Sequence, residues 1–276
     1  MVDRSELTSG RQVRQACRSG EWTAQTAGLA PGYAQANLVV LPRDFADEFL
    51  LFCRRNPQPC PLLDATVSGN PYFEPVVAEA DLRTDLPRYR VWEDGKLVSE
   101  PTDVRDCWQD NFVAFLIGCS FTFEAALTKA DIPVRHVELG CNVPMYRTNI
   151  PCQTAGRFHG PLVVSMRPMK PADAIRAVLL TAEYPDVHGA PLHIGFPADI
   201  GIKDLARPDF GDPVPVAADE LPVFWACGVT PQTVVMASKP PIAITHSPGC
   251  MFVTDLLDET LRRFPAQDQS HPAESA

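Results

Sequence analysis

The sequence predicts an α/β protein with a mostly parallel sheet, helices on both faces of that sheet, and a smaller inserted α+β domain. The main observation is that three apolar runs are each followed by a short turn and then by a segment of helical character. These runs are residues 112–117, 222–227 and 242–245. Continuous apolar runs are typical of strands buried on both faces, as in parallel sheets. Three strand–turn–helix units therefore favour a parallel sheet covered by helices.

The remaining elements of this fold follow from local patterns. We predict a polar helix over residues 5–18, a strand at 37–41, a helix over 42–55 and a second strand from residue 61. The helix over 42–55 begins with proline and places Phe45, Phe49 and Phe52 on one face. Asp94-Gly95 favours a tight turn, so residues 88–92 and 96–98 are predicted to form a hairpin. The three units are predicted to end in helices at 121–129, at 231–238 and from Gly249 to about Arg263.

One segment interrupts this pattern and predicts the domain organisation. Residues 136–215 contain a predicted strand at 162–166, a helix at 171–183 and a strand at 191–194. We interpret them as a small α+β domain inserted into a discontinuous main domain of residues 1–135 and 216–264. Residues 265–276 are polar and small, which predicts a disordered tail.

Composition excludes several classes of partner. The 276 residues carry a net charge of −10, and nucleic acids or anionic membranes need a basic surface. No apolar stretch approaches the ~18 residues of a membrane span, and residues 1–18 lack the apolar core of a secretory signal. The nine cysteines include no CxxC pair, which indicates reduced thiols and no zinc site. We therefore expect a cytoplasmic protein without a membrane or nucleic-acid partner, and the sequence leaves a homo-oligomer open.

Polar turns after the three apolar runs predict a ligand pocket. They are Gly118-Cys119-Ser120, Gly228-Val229-Thr230 and Ser247-Pro248-Gly249. Ligands bind at the carboxyl ends of parallel strands, where helix N-termini present free N–H groups to anions. Thr230 precedes a proline and is predicted to be the N-cap residue of its helix. The alternative is that glycine and serine simply make good turns and caps.

Four residues in or near these turns are candidates for catalysis. Cys119 and Ser120 stand at a predicted helix N-terminus, where a thiol or hydroxyl can be nucleophilic; a buried, inert cysteine is the alternative. Glu124 is a candidate general acid or base, or it merely complements the helix dipole. His246 ends a predicted strand, a position that favours acid–base work or substrate binding over a purely structural role.

A dense polar cluster between two prolines is the candidate carboxylate-binding site. In Tyr146-Arg147-Thr148-Asn149, the arginine fork can bind a carboxylate in two places, with Thr148 and Asn149 adding hydrogen bonds. The alternative is a loop bonded to neighbouring backbone. The sequence contains neither a GxxxxGK[ST] nor a GxGxxG motif, so no nucleotide, flavin or other cofactor is predicted.

Several long strings resemble the D-glutamate cyclase family, whose bacterial members are called hydro-lyases. The resemblance runs from about residue 10 to 262. It rests on Pro31-Gly32-Tyr33-Ala34-Gln35-Ala36-Asn37, Arg83-Thr84-Asp85-Leu86-Pro87, Phe115-Leu116-Ile117-Gly118-Cys119-Ser120-Phe121, Tyr146-Arg147-Thr148-Asn149-Ile150-Pro151-Cys152, Val164-Ser165-Met166-Arg167-Pro168, Phe224-Trp225-Ala226-Cys227-Gly228-Val229-Thr230-Pro231-Gln232 and Thr245-His246-Ser247-Pro248-Gly249.

This resemblance implies a two-domain α/β fold and a lyase reaction, namely loss of water from D-glutamate to give 5-oxo-D-proline. The family string has an acidic residue where this chain has Phe196. If that carboxylate takes part in catalysis or metal binding, this member is altered.

Three hypotheses follow for the function. The first is a hydro-lyase acting on a small amino-acid-like carboxylate, held by Arg147 and Asn149, with Glu124 and His246 moving protons. Helix N-termini at Ser120 and Thr230 would then stabilise developing negative charge. The second is a non-catalytic small-molecule-binding or regulatory protein of 5-oxoproline or glutamate metabolism. The third is a thiol enzyme that uses Cys119.

Overall fold

Two antiparallel sheets form the framework of the protein, whose computed structural model describes residues 2–73, 77 and 79–263. Within these residues the first sheet has seven strands: β2 (Leu62–Ala65), β5 (Phe112–Gly118), β1 (Tyr33–Pro42), β10 (Ala243–His246), β3 (Tyr89–Glu93) and β4 (Lys96–Ser99) in that order, with β11 (Phe252–Leu257) also paired to β1. The second sheet has the order β6 (Met145–Pro151), β7 (Pro161–Met169), β9 (Leu221–Ala226) and β8 (His193–Ile194).

Six α-helices in the described part of the chain connect and flank these strands. They are α1 (Gly10–Arg18), α2 (Arg43–Arg55), α3 (Phe121–Lys129), α4 (Arg135–Glu138), α5 (Pro171–Thr181) and α6 (Val229–Ser238). Short 3-10 helices lie at Arg4–Glu6, Arg105–Cys107, Pro185–Val187, Pro197–Ile200 and Asp258–Leu261. None of the helices within the described ranges is long and apolar enough to cross a membrane.

The predicted mostly parallel sheet is wrong. Strand β1 pairs antiparallel with β5, β10 and β11, and every pairing of the second sheet is antiparallel as well. The continuous apolar runs reflect burial on both faces, which this fold achieves without parallel strands. On one face of the first sheet, Val39 and Phe115 join a core with Val164 of the second sheet. On the other face, Leu38 packs in a core that includes Phe73 and Leu82.

The helix predicted after Gly249 is also wrong, because β11 occupies that segment. Phe252, Val253 and Thr254 are aromatic or β-branched, and this strand pairs with β1, where Gln35 lies opposite Val253. The Thr254 hydroxyl donates to the carbonyl of Ala34 at 2.8 Å. Buried Arg14 of α1 donates to the Val253 carbonyl at 2.7 Å. These long-range bonds favour a strand over the helix that the local pattern indicated.

The hairpin and the first two strand–turn–helix units are confirmed. Asp94 and Gly95 both have positive φ, at 48° and 78°, as the tight turn between β3 and β4 requires. Strand β5 leads into α3, and β9 leads into α6. The division into a main domain and an insertion at 136–215 stays a prediction. The second sheet takes three strands from that segment and a fourth, β9, from beyond it. The predicted tail at 265–276 lies outside the described residues.

Candidate functional site between the two sheets

The three polar turns predicted to form a pocket meet at one cavity of about 40 Å³ between the sheets, which we call the inner cavity. Strands β5 and β10 both run antiparallel to β1, so they point in the same direction and end at the same edge. The end of β9 in the second sheet reaches the same place. The lining residues are 37, 119–121, 142, 143, 145, 188, 227–229, 246, 248, 249 and 251.

Two helices begin at the inner cavity. Ser120 and Gly228 are the N-cap residues of α3 and α6, and neither helix has a side-chain capping bond. A Cβ atom at Gly228 would lie 2.2 Å from the side-chain nitrogen of Asn37, so glycine lets α6 begin against β1. Helix N-termini carry partial positive charge and favour anions. The inner cavity is therefore suited to a carboxylate or a developing oxyanion.

His246 is a buried neutral imidazole on the wall of the inner cavity. Burial lowers its pKa to about 4, although a hydrogen bond with the Leu38 backbone opposes this change. The Leu38 N–H donates to Nδ1 at 3.1 Å, whereas the Leu38 carbonyl is farther away, at 3.4 Å. We therefore assign the proton to Nε2. The Gln232 side-chain amide lies 3.0 Å from both ring nitrogens. At neutral pH, His246 can donate one hydrogen bond without carrying charge.

His188 is a second neutral histidine at the inner cavity. Its Nδ1–H donates to the carbonyl of Gln58 at 2.8 Å, and burial lowers the pKa of the ring to about 4. The residue has φ of 85°, a left-handed conformation that non-glycine residues seldom adopt. His193, in contrast, does not line the inner cavity; its Nε2 lies 3.1 Å from the Phe196 carbonyl.

We expect the free energy of unfolding of the His188→Asn variant to fall less in mild acid than that of the wild type. In the unfolded chain His188 protonates near pH 6.5, but in the fold only near pH 4. Its neutral form thus contributes stability above pH 6.5 that is lost as the pH falls towards 4, by about 3 kcal/mol in all. Asparagine keeps a donor for Gln58 and does not titrate. Urea unfolding at pH 7 and pH 5 measures the difference.

Comparison with a variant is needed because Asp258 changes the free energy of unfolding with pH in the opposite direction to His188 over the same pH range. Burial raises the pKa of Asp258 to about 7, so its contribution to stability falls as the pH rises from about 4 to 7. This effect is common to the wild type and the variant and cancels between them. Exposed His159 supplies the matched control, His159→Asn. Equal pH dependence in all three proteins would contradict the buried neutral state of His188.

The thiols at the inner cavity are protonated. Burial raises the pKa of Cys119 to about 12 and that of Cys227 to about 11, although hydrogen bonds from the Phe121 and Val229 backbones lower both. A nucleophilic cysteine needs its thiolate. The geometry therefore favours the inert alternative for Cys119. Within the described residues, no group of three or more His, Cys, Asp or Glu side chains is arranged to hold a metal ion.

Glu124 belongs to a buried ion-pair cluster that stands behind the cavity wall. Arg167 of β7 is fully buried and pairs with Glu124, with its Nε 3.1 Å from Oε1. His136 Nε2 lies 3.2 Å from the same carboxylate oxygen, without regular hydrogen-bond geometry. Burial alone would raise the pKa of Glu124, but Arg167 and His136 lower it to about 2. Glu124 is thus ionised, and it does not line the inner cavity.

Ser120 connects this cluster to the inner cavity. Arg167 Nη2 donates to the Ser120 hydroxyl oxygen at 3.0 Å, and Nη1 donates to Ser165 at 3.1 Å. The guanidinium also lies over the rings of Phe123 and Trp225, at 5.3 and 5.2 Å from their centroids. Because the Ser120 oxygen accepts from Arg167, its O–H is directed elsewhere and can donate to a ligand. A fixed positive charge stands directly behind that donor.

The predicted carboxylate-binding cluster lies elsewhere. Arg147 is half exposed, pairs with Asp209 at 3.4 Å and lines a separate pocket that shares no lining residue with the inner cavity. Thr148 is buried and donates to the Leu162 carbonyl, whereas Asn149 packs against Gly201 at that separate pocket. Carboxylate binding by this cluster stays a prediction, and it would take place at the separate pocket.

Thr230 and Phe196 also differ from their predicted roles or lie away from the inner cavity. Thr230 is not the N-cap of α6, because the helix begins at Val229, and the Thr230 hydroxyl accepts the Val163 N–H at 3.0 Å. Phe196 is 78% exposed and does not line the inner cavity, so an acidic residue at this position would not stand on the cavity wall.

Arg167 and Asn37 are the main residues that the sequence predictions missed. Both are polar residues within strands that are otherwise buried. In β7, Ser165 and Arg167 alternate with apolar residues, and both are completely buried. Charged residues are almost never fully buried unless they are paired. An arginine inside an apolar strand was therefore the available signal for a buried partner.

The sequence matches a known protein family and several known proteins. The family model described as D-glutamate cyclase matches residues 113–255. A protein named "Putative hydro-lyase" from Rhodopseudomonas palustris is 60% identical over 256 residues, which cover 93% of this chain and 94% of that protein. A protein of the same description from Bordetella pertussis is also 60% identical, over 93% of this chain and 92% of its own length.

One solved structure aligns with this chain, but only weakly. A nitrogen repressor-like protein from Methanococcus jannaschii aligns over 89% of this chain and 98% of its own, but with a TM-score of 0.38 and 8% identity. That likeness is too slight to bear on fold or function. The sequence matches, in contrast, extend over half of the chain for the family model and over nearly the whole length of both relatives. The chain therefore belongs to the D-glutamate cyclase family.

Proposed function

We propose that the protein is a hydro-lyase that removes water from a small amino-acid-like carboxylate, with conversion of D-glutamate to 5-oxo-D-proline as the candidate reaction. The observation that carries this proposal is the meeting of two helix N-termini and the neutral His246 ring at one buried cavity. Preorganised donors at a site where negative charge develops are the largest contribution to many enzymatic rates. The names of the relatives support the same reaction class.

The proposed reaction has a simple atomic balance. The amine nitrogen of the substrate attacks the carbon of its distal carboxylate, a C–N bond forms, and a C–O bond breaks. The ammonium loses two protons in all, and the departing oxygen gains both as it leaves as water. No oxidant, reductant or external proton is consumed. Catalysis thus requires stabilisation of the oxyanion on the attacked carboxyl group and a path for two protons.

The residues of the inner cavity are suited to stabilise the oxyanion on the attacked carboxyl group. His246, Ser120 and the N-terminal ends of α3 and α6 all line the same small volume, so their hydrogen-bond donors can converge on one bound group. Arg167 adds positive charge behind Ser120, and the ionised Glu124 holds that arginine in place. In this scheme Glu124 and Arg167 are positioning residues. His246 acts as a neutral hydrogen-bond donor, since its Nδ1 is already occupied by the Leu38 N–H.

The size of the inner cavity limits what it takes in. One water needs roughly 10–15 Å³ of such space, so about 40 Å³ holds only a few water-sized groups. A carboxyl group fits this volume, whereas a whole amino acid does not. We therefore place the reacting carboxyl in the inner cavity and the rest of the substrate outside it.

A second candidate function is a non-catalytic binding or regulatory protein that recognises the same carboxylate. The observation in its favour is that the four titratable residues described at the inner cavity, two cysteines and two histidines, have pKa values far from neutrality. The pKa of Cys119 is raised to about 12, and the pKa values of His246 and His188 are lowered to about 4. General acids and bases work best with pKa values near the operating pH.

Incubation of the purified protein with D-glutamate, L-glutamate and small hydroxy acids distinguishes these functions. For the hydro-lyase we expect time-dependent formation of a dehydrated product from at least one of them, followed by mass spectrometry. Calorimetric titration of the same compounds measures binding in parallel. Binding without turnover would establish the second candidate function. Replacement of Cys119 by alanine should leave turnover detectable, because its buried thiol is protonated and not nucleophilic.

A further inference from the structure

A second, larger depression adjoins the inner cavity. We call it the outer cleft; it has a volume of about 440 Å³ and is lined by Arg88, Arg90, Glu100 and the turn after β10, among others. Asn142 and Pro248 line both the outer cleft and the inner cavity.

The turn after β10 separates the two spaces. Ser247 and Cys250 line the outer cleft, whereas His246 and Gly249 line the inner cavity. A ligand whose reacting group occupies the inner cavity would thus extend along this turn into the outer cleft.

Arg88 lines the outer cleft. Its side chain is exposed, and among the residues that the structure describes its guanidinium forms no hydrogen bond or ion pair. Its backbone is nevertheless held in place, because the Ser247 N–H donates to the Arg88 carbonyl at 2.9 Å. Arg88 lines the outer cleft together with Ser247 and Pro248 of the turn after β10. In a chain with a net charge of −10, an unpaired arginine in a concave site is a candidate anion-binding group.

The other charges of the outer cleft are already engaged. Arg90 Nε is 2.5 Å from Glu100 Oε1, and its guanidinium lies over the Trp92 ring. The hydrogen bond from Arg90 lowers the pKa of Glu100, which stays ionised. Asp212 accepts the Asn142 N–H at 2.9 Å. Arg88 is therefore the group available for an incoming carboxylate.

We infer that Arg88 binds the unreacted carboxylate of the substrate, and that the outer cleft is the subsite for this carboxylate, while the attacking amine lies beside the reacting carboxyl. This inference rests on the proposed function, in which the distal carboxyl reacts in the inner cavity. It assigns to the protein a preference for substrates with two carboxylates, since one is needed in each space. A planar guanidinium can bind a carboxylate through two parallel hydrogen bonds, which gives geometric as well as charge selectivity.

The test uses two probes that differ by one carboxylate. 5-Oxo-D-proline retains the unreacted carboxylate, whereas 2-pyrrolidinone is the same ring without it. We expect Arg88→Gln to weaken binding of 5-oxo-D-proline by ~10–100-fold in calorimetry and to leave binding of 2-pyrrolidinone unchanged. Arg88→Lys should fall between wild type and glutamine. Arg157→Gln is the matched control, because Arg157 is a half-exposed arginine paired with Glu48 outside the outer cleft.

Failure of this inference is distinguishable from failure of the proposed function. If the wild type dehydrates D-glutamate but Arg88→Gln leaves both KM and 5-oxo-D-proline binding unchanged, Arg88 is not the carboxylate-binding residue. Weakening by Arg147→Gln instead would move that role to the sequence-predicted cluster. If the wild type shows no turnover but Arg88→Gln still weakens 5-oxo-D-proline selectively, the carboxylate subsite stands and the enzyme does not. Equal weakening of both probes would overturn the inference.

Discussion

Replacement of His246 by asparagine is expected to lower kcat for D-glutamate by about 10²–10³-fold, with a small change in KM. The physical reason is that Nε2–H is proposed to donate to the oxyanion, and removal of one such donor has an effect of this size. The donor acts on charge that develops in the transition state, so substrate binding is affected less. Steady-state kinetics with product detection by mass spectrometry measure both constants.

The choice of substitution separates catalysis from folding. Leu38 N–H donates to Nδ1 of His246, and asparagine can offer its side-chain oxygen at about the same distance from the backbone. The His246→Asn variant should therefore fold. His246→Gln extends an amide N–H towards the position of Nε2 and should retain more of the activity than asparagine does. If asparagine and glutamine lower kcat equally, or if neither lowers it, Nε2–H is not the donor.

Replacement of Arg167 by methionine is expected to lower the free energy of unfolding by about 3–5 kcal/mol. Arg167 is completely buried and pairs with Glu124, which is itself buried. Removal of one partner leaves an uncompensated charge in the interior, which is more costly than removal of the whole pair. The double variant Glu124→Leu/Arg167→Met should recover most of the loss. Urea unfolding at pH 7 measures all three proteins.

The pH dependence of the Arg167→Met variant provides an independent check. In the wild type the pKa of Glu124 is lowered to about 2 from 4.5, so its contribution is full above pH 4.5 and is lost as the pH falls towards 2. Without Arg167, burial is opposed by His136 alone, so the pKa of Glu124 should rise. The variant should then lose less stability than the wild type as the pH falls from 4.5 towards 2. A pH dependence like that of the wild type would contradict the ion pair.

A matched exposed ion pair serves as control for this second prediction. Arg147 and Asp209 are 3.4 Å apart, with 50% and 35% of their side chains exposed. Solvent-exposed pairs contribute about 0–1 kcal/mol. Arg147→Met should therefore change stability far less than Arg167→Met does. A similar loss in both variants would indicate that burial of the Arg167–Glu124 pair has no special energetic role.

Most elements of the fold could be predicted because they follow from neighbouring residues. The apolar run of β5 and its Gly118-Cys119-Ser120 turn lead into α3, as expected from the local pattern. Strand direction could not be predicted in the same way, since it depends on pairing between distant segments. Residues 36–42 of β1 pair with 112–118, and residues 39 and 40 pair with 244 and 245. An apolar run indicates burial on both faces but not the direction of its neighbours.

The candidate site was predicted in part. The meeting of the three turns was expected for parallel strands, and it occurs because β5 and β10 are both antiparallel to β1 and the end of β9 faces them. The roles of single residues depended on partners far away in sequence. Glu124 is 43 residues from Arg167, which holds it as an ion and removes it from the cavity wall. Arg147 is directed to another pocket, and Arg88, with no distinctive local motif, stands in the outer cleft.

The sequence by itself determined the positions of most strands and helices, the polar turns that end them and the resemblance to the D-glutamate cyclase family. These features depend on periodicity and on residue strings, which are local properties of the chain. Only the tertiary structure decided the antiparallel pairing, the strand at Phe252–Leu257 and the charge states of Glu124, His188 and His246. The reason is that pairing partners, burial and electrostatic neighbours come from segments that only the folded chain brings together.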